Sequence, residues 1–303
     1  MVDRHDDPPG APRWFGLSAT GQGVLLALLA PVLWSTSGLF VKILPLEALT
    51  LAGLRALIAG LVLAPFLRPR QIAPSFALLA VLLSYAVSVT AFVASVKLTT
   101  AANAIALVST APAWVLLLTW IAARRARWPQ AAPVALVLAG VAIMLSEPDT
   151  GSSLRGNQLA LLAGLGFGVF TFFLTRVNMP TPALIALSNL SAAALVFAIV
   201  PSAWALQSIS WVSWLALAFL GSVQIALATV CFGAALRRIP AVRASVLALL
   251  EPLLSPLWVF LAIGEAPSAF GFTGGACILG GILSDFWTRR LSIKPVEGRA
   301  SGG

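Results

Sequence analysis

The feature that most constrains this chain is a succession of apolar stretches, each about long enough to cross a bilayer. Ten can be marked, at residues 23–43, 48–67, 76–96, 101–123, 131–146, 157–177, 182–200, 211–236, 241–263 and 269–287. A spanning helix needs about 20 mostly apolar residues. In lipid the backbone must satisfy its own hydrogen bonds, which leaves only helices or closed barrels. The stretches lack the polar alternation of barrel strands, so an all-α integral membrane protein with ten transmembrane helices is expected. The fifth stretch is short and the eighth long, so their ends are the least sharply marked. Composition agrees: 59% of the residues are hydrophobic and 10% charged, against about a quarter charged in a soluble domain. Mean hydropathy is +0.97.

The net charge of +9 does not point to nucleic acid, because the basic residues sit between apolar segments rather than on a soluble module. If both termini are cytoplasmic, fifteen of the nineteen Lys and Arg fall on that side, and only Lys42, Lys97 and Arg155 on the other. That bias satisfies the positive-inside rule and predicts a multi-pass protein of the cell (inner) membrane. Residues 1–22 and 288–303 are expected as cytoplasmic tails, the first disordered. The first apolar run is too long for a signal-peptide core. Cys231 and Cys277 lie in apolar segments and read as packing residues.

The chain also repeats itself. "LLALLA" (Leu25–Ala30) opens the first span and "QLALLA" (Gln158–Ala163) the sixth, and at the same offset Phe40 meets Phe173. "TTAANAIALVSTAPAW" (Thr99–Trp114) aligns with "IPAVRASVLALLEPLL" (Ile239–Leu254), which matches Pro112 with Pro252; Gly140 then meets Gly280. Two five-helix halves follow, at 23–147 and 156–287, split in "SEPDTGSSLRG" (Ser146–Gly156). Five is odd, so the second half must be inverted relative to the first. Inverted repeats characterise secondary transporters that rock one bundle against another.

"LW" with "GLFVK" in span 1, "TTAANAI…TAP" in span 4 and "LLEPLLSPLWVFLAIGE" through span 9 resemble the EamA proteins of the drug/metabolite transporter superfamily. The resemblance covers about residues 24 to 285, and the pairs Glu251–Pro252 and Gly264–Glu265 are its most specific part. The family often ends span 4 with a similar Gly-Glu, where this sequence has "WIAARRARW". The resemblance implies ten helices, inverted five-helix repeats and transport of small metabolites, often outward.

Interrupted helices at matching positions mark transporter sites. Pro112, Pro252 and Pro256 lie inside spans 4 and 9; Pro252 and Pro256 cannot donate to the carbonyls of Ala248 and Pro252, which are expected to lie free beside Glu251. At about 100° per residue, Ala244, Glu251, Ser255 and Trp258 share one face of span 9. The same arithmetic groups Asn103, Thr110 and Trp114 in span 4. Glu251 is the one carboxylate deep in a span. Burying it costs on the order of 2.5–3.5 kcal/mol on insertion scales, which marks it as functional by default. It is expected to carry a proton, contact the solute, or tie helices together. Arg55, two turns into span 2, would bind an anionic group, pair with Glu251 or Glu47, or snorkel. Asn189 and Gln224 would hydrogen-bond between helices or touch solute, and Trp34 and Tyr85 would wall the cavity or simply pack. Lys42 and Lys97 read as interface anchors. The pairs Gly164/Gly168 and Gly271/Gly275 permit close helix approach, within the bundle or, for span 10, in a homodimer.

The sequence has no phosphate-binding loop, and its single histidine, His5, lies in the tail. Neither an enzyme, nor a cofactor, nor a metal site is expected. The function expected is secondary, non-ATP transport of a small-molecule substrate through the lipid bilayer. The reading favoured is export of amino acids or similar amphipathic solutes, with proton coupling through Glu251 an open option. The alternatives are a non-transporting assembly or signalling component, and efflux of drugs or lipophilic cations.

Overall fold

A computed structural model describes residues 17–124, 131–146, 154–200 and 209–291, with side chains at all of these but 71, 131–134 and 285–291. Most of both expected tails, most of the 146–156 loop, and Arg125 and Arg127 lie outside the described residues. Among the described residues every regular element is helical. Eight helices are long and apolar enough to cross a membrane: α1 (Ala19–Ile43), α2 (Ala48–Phe66), α3 (Phe76–Leu98), α4 (Ala101–Ala123), α6 (Leu154–Leu174), α7 (Thr181–Ile199), α8 (Trp211–Leu236) and α9 (Ala241–Ile263). Two further helices, α5 (Ala131–Leu145) and α10 (Ala269–Leu291), have shorter apolar stretches, Ala135–Leu145 and Ala269–Ser284. The first helix starts at Ala19, inside the expected tail, because the Ser18 hydroxyl accepts from Gly21 N and caps it.

Four of these helices are interrupted. Helix α1 breaks at Ser35–Thr36, α4 at Ser109–Thr110 and α9 at Ala248–Leu249. At all three breaks ψ relaxes to between −24° and 0°. At the α4 and α9 breaks the chain closes tighter i→i−3 bonds, Thr110 N to Leu107 O (3.2 Å) and Leu249 N to Val246 O (3.1 Å). Pro112 and Pro252 sit just after the matched breaks, in the first turn of the second helical piece, where a missing N–H costs nothing. The expected free carbonyl at Ala248 is not free: it accepts from Glu251 N at 3.0 Å. The shortened turn supplies the donor that Pro252 lacks. Pro256 lies inside the helix, one turn beyond. In α8 the interruption is a π-helical segment, Leu220–Leu227.

The helix contacts exchange when the first five helices are swapped for the last five. Helix α3 packs on α6 as α8 packs on α1, α3 on α7 as α8 on α2, and α4 on α6 as α9 on α1; α2–α7 and α5–α10 map onto themselves. Close approach of α6 to the α4 break depends on two glycines. A Cβ at Gly164 would lie 2.8 Å from Thr110 Oγ1, and one at Gly168 2.6 Å from Trp114 Cβ.

The apolar interior forms two clusters. One gathers Phe170, Leu174, Leu184, Ile185 and Phe232; the other gathers Leu51, Leu54, Leu107, Leu217 and Leu220. Cys231 is buried within the first.

Candidate functional site

A cavity of about 90 Å³ opens where these two clusters meet. Trp34, Val89 and Phe167 wall it from the first cluster, Phe92 and Val108 from the second. The interruptions converge on it. Trp34 and Ser37 flank the α1 break, Val108 ends the first piece of α4, and Glu251 lies in the first turn of the second piece of α9. Gln224 and Ile225 come from the π-helical segment of α8. Arg55 of α2, Tyr85 and Ser88 of α3 and Thr229 of α8 complete the lining.

The charges in this cavity are unusual for a bundle interior. Arg55 is 3% exposed and Glu251 half-buried, yet no ion pair joins them among the described residues. Arg55 Nη1 donates to Ser37 Oγ at 3.4 Å, and the guanidinium carbon lies 5.7 Å from the centroid of Phe92. Arg55 Nε has no hydrogen-bond partner. Gln224 donates through Nε2 to Trp34 O at 3.3 Å, while its Oε1 has none. Two residues that line this space, Arg55 and Gln224, therefore each carry a desolvated polar atom without a partner, one a donor and one an acceptor. Each such unmet atom costs about 1–3 kcal/mol.

An aromatic cluster backs the site. Trp34 meets Phe167 edge-on at 5.6 Å and Phe232 at 5.2 Å, and Tyr85 lies 5.0 Å from Phe170. Tyr85 donates its hydroxyl to Asn189 Oδ1 at 3.0 Å, and Asn189 Nδ2 donates to Ile185 O at 2.9 Å. Asn189 thus fixes Tyr85 from behind the cavity wall.

The structure brings together Arg55, Glu251, Gln224, Trp34 and Tyr85 from the sequence reading. Ser255 and Trp258 share the Glu251 face of α9, but that face is filled by α1. Ser255 is fully buried with its Oγ against Gly38, and Trp258 Nε1 donates to Ser35 Oγ at 3.0 Å. Trp258 instead borders a separate shallow groove with Thr36, Leu39 and Phe40. Asn103, Thr110 and Trp114 do not face the cavity either. Asn103 packs on Gly271 of α10, while Thr110 and Trp114 meet Gly164 and Gly168 of α6. The break at Ser109–Thr110 resets the helical phase on which that grouping relied. Ser37, Ser88, Phe92, Phe167 and Thr229 were not anticipated; the one signal for Ser37 was its place in the span 1 "LW…GLFVK" stretch.

A second polar cluster lies where α1 and α3 end and α4 begins. Lys42 Nζ lies 3.1 Å from Glu265 Oε2 and donates to Thr99 O at 2.8 Å. Glu265 Oε1 accepts from Ala101 N at 2.7 Å, and Lys97 Nζ donates to Leu44 O at 2.7 Å. Thr99 Oγ1 donates to Asn157 Oδ1 at 2.8 Å. These bonds tie α1, α3, α4, α6 and the α9–α10 loop together.

Comparison with known proteins agrees with this architecture. The family model for EamA-like transporters matches twice, at residues 21–146 and 154–284. An uncharacterized transporter of Archaeoglobus fulgidus is 27% identical over 271 residues, spanning 89% of this chain and 97% of its own. A protein of known crystal structure superposes with a TM-score of 0.65 at 22% identity, over 89% of this chain and 98% of that one, which shows a shared fold. These matches describe a multi-pass membrane transporter of small solutes, not an enzyme. This chain belongs to the EamA-like transporter family, within the drug/metabolite transporter superfamily.

Proposed function

We propose that this protein is a secondary transporter that exports small amphipathic metabolites, of the amino-acid kind, by alternating access between two inverted five-helix halves. One observation carries the reading: two charged side chains, Arg55 and Glu251, line a central cavity at the breaks in α1, α4 and α9. A charge in a span is costly, and a membrane protein keeps it where solute or ions pass. Interrupted helices place backbone polar groups beside such a path. Glu251 is the proposed proton-coupling group, since it lies in the first turn of a helical piece and borders the cavity that holds Arg55. On this proposal ten spans keep both termini on one side, and the positive-inside bias favours the cytoplasmic side of the cell (inner) membrane, with the Lys42–Glu265 cluster on the outer side. A homodimer through α10 would use exposed Phe270, Phe272 and Leu283, because Gly271 and Gly275 face α4.

Glu251 and the aromatic walls also favour a second reading, efflux of lipophilic cations. Arg55 opposes it, since a guanidinium in the same cavity repels a cation.

The experiment is counterflow by purified protein in proteoliposomes against a pooled metabolite panel, with Glu251→Gln as control. Solute-dependent counterflow is expected in both proteins, with uphill transport driven by a pH gradient only in the unaltered one. Flux for no solute would leave the non-transporting reading. Gradient-driven transport that survives in Glu251→Gln would remove the coupling role.

A further inference from the structure

The π-helical segment of α8 puts Gln224 into the cavity with an amide that is only half used. Its orientation is fixed by chemistry: the Trp34 carbonyl can only accept, so the Gln224 NH₂ faces it at 3.3 Å and Oε1 is left without a donor. Gln224 is 3% exposed, so water in bulk does not meet that oxygen. Arg55, equally buried and a lining residue of the same cavity, leaves Nε without an acceptor. A π turn displaces one residue from the helical register and recurs at functional sites. Here it carries the side chain with the unmet acceptor.

Resting on the transporter reading above, we propose that Gln224 is a specificity-determining residue: its Oε1 accepts from an N–H or O–H of the solute, while Arg55 Nε donates to an acceptor on the same solute. The recognised solute is one that offers both a donor and an acceptor on neighbouring atoms, such as a 2-amino or 2-hydroxy acid. A site built to hydrogen-bond a solute group rejects an analogue lacking it, because its own buried atom is then left unpaired. Gln224 discriminates by the donor rather than by net charge, and this separates its role from those of Arg55 and Glu251.

The test uses four probes on purified full-length protein, with binding read by equilibrium dialysis. L-leucine and 2-hydroxy-4-methylvalerate carry the donor; the N,N,N-trimethyl betaine of leucine and 2-methoxy-4-methylvalerate keep charge and lose it. The donor-bearing member of each pair is expected to bind at least about tenfold more tightly. In Gln224→Met, which keeps the side chain's length and bulk, that ratio is expected to fall to near one. A ratio that survives in Gln224→Met means steric selection and overturns the proposal. Equal binding of both members of each pair in the unaltered protein overturns it, as does binding of none of the four. The transporter reading fails separately, on absence of any counterflow from the pooled panel. If Gln224→Met does not fold, Gln224→Glu serves: it keeps an acceptor, so discrimination against the methylated probes is expected to persist, and its loss overturns the proposal.

Discussion

The protein holds two polar clusters, and they are built on opposite rules. At the junction of α1, α3 and α4, Lys42, Lys97, Thr99 and Glu265 meet side-chain or backbone partners at 2.7–3.1 Å. In the central cavity Arg55 and Gln224 each keep an unmet atom, and Arg55 and Glu251 share a space without pairing. A satisfied network rigidifies the elements it joins, while an unsatisfied one stores free energy that only an incoming group can release. The first cluster is fit for holding helices together, and the second for receiving something.

This contrast can be broken most sharply at Arg55. Arg55→Met is expected to lower counterflow by about 100-fold, the effect of removing one side of a charged recognition pair. The thermal midpoint should hold or rise, because a buried charge without a paired carboxylate is removed. A variant that transports normally but unfolds early would reverse the roles assigned to the two clusters. The opposite signature is expected at the junction. Lys42→Ala leaves Glu265 without its ion pair; with both side chains partly exposed, a loss of about 1 kcal/mol is expected. Thermal unfolding should register this as a lower midpoint, while leucine affinity stays within about threefold of the unaltered protein. A double-mutant cycle of Lys42→Ala with Glu265→Ala sharpens the point, since a coupling near zero would mean the pair does not hold the junction. The smallest effect on transport belongs behind the cavity wall. Tyr85→Phe removes the donor to Asn189 Oδ1, a stability loss of about 1–3 kcal/mol because that buried oxygen is left unmet while Asn189 Nδ2 stays bonded. Its expected readout is a modest loss of affinity with unchanged donor discrimination.

Much of this architecture is legible in the sequence. Apolar run length sets the spans, and the match of Pro112 with Pro252 pointed to the paired breaks in α4 and α9. Glu251 and Arg55 stood out because a charge in a span needs a reason. What stayed hidden came from local departures from 100° per residue. The groupings of Asn103 with Thr110 and Trp114, and of Ser255 and Trp258 with an open cavity, assume continuous helices with an empty neighbouring face. The α4 break redirects the first set toward α6 and α10, and α1 occupies the face of the second. The break in α1 itself carries no proline at its site. Pro31 lies a turn earlier, and the hydroxyls of Ser35 and Thr36 bond back to Val32 O and Leu33 O, a competition with the helix that residue type alone does not reveal. The π turn in α8 is likewise silent in the sequence.

The helix that carries Glu251 is also the one least wrapped by protein. In the apolar window of α9, 22% of residues are buried, against 39% or more in the other long helices. Leu253, Leu257, Phe260 and Leu261 face outward. Any tilt of α9 about its break therefore displaces acyl chains more than neighbouring side chains. Bilayer thickness and lateral pressure become part of the machinery, and the turnover of this protein should depend on chain length in the host lipid even when its affinity for solute does not.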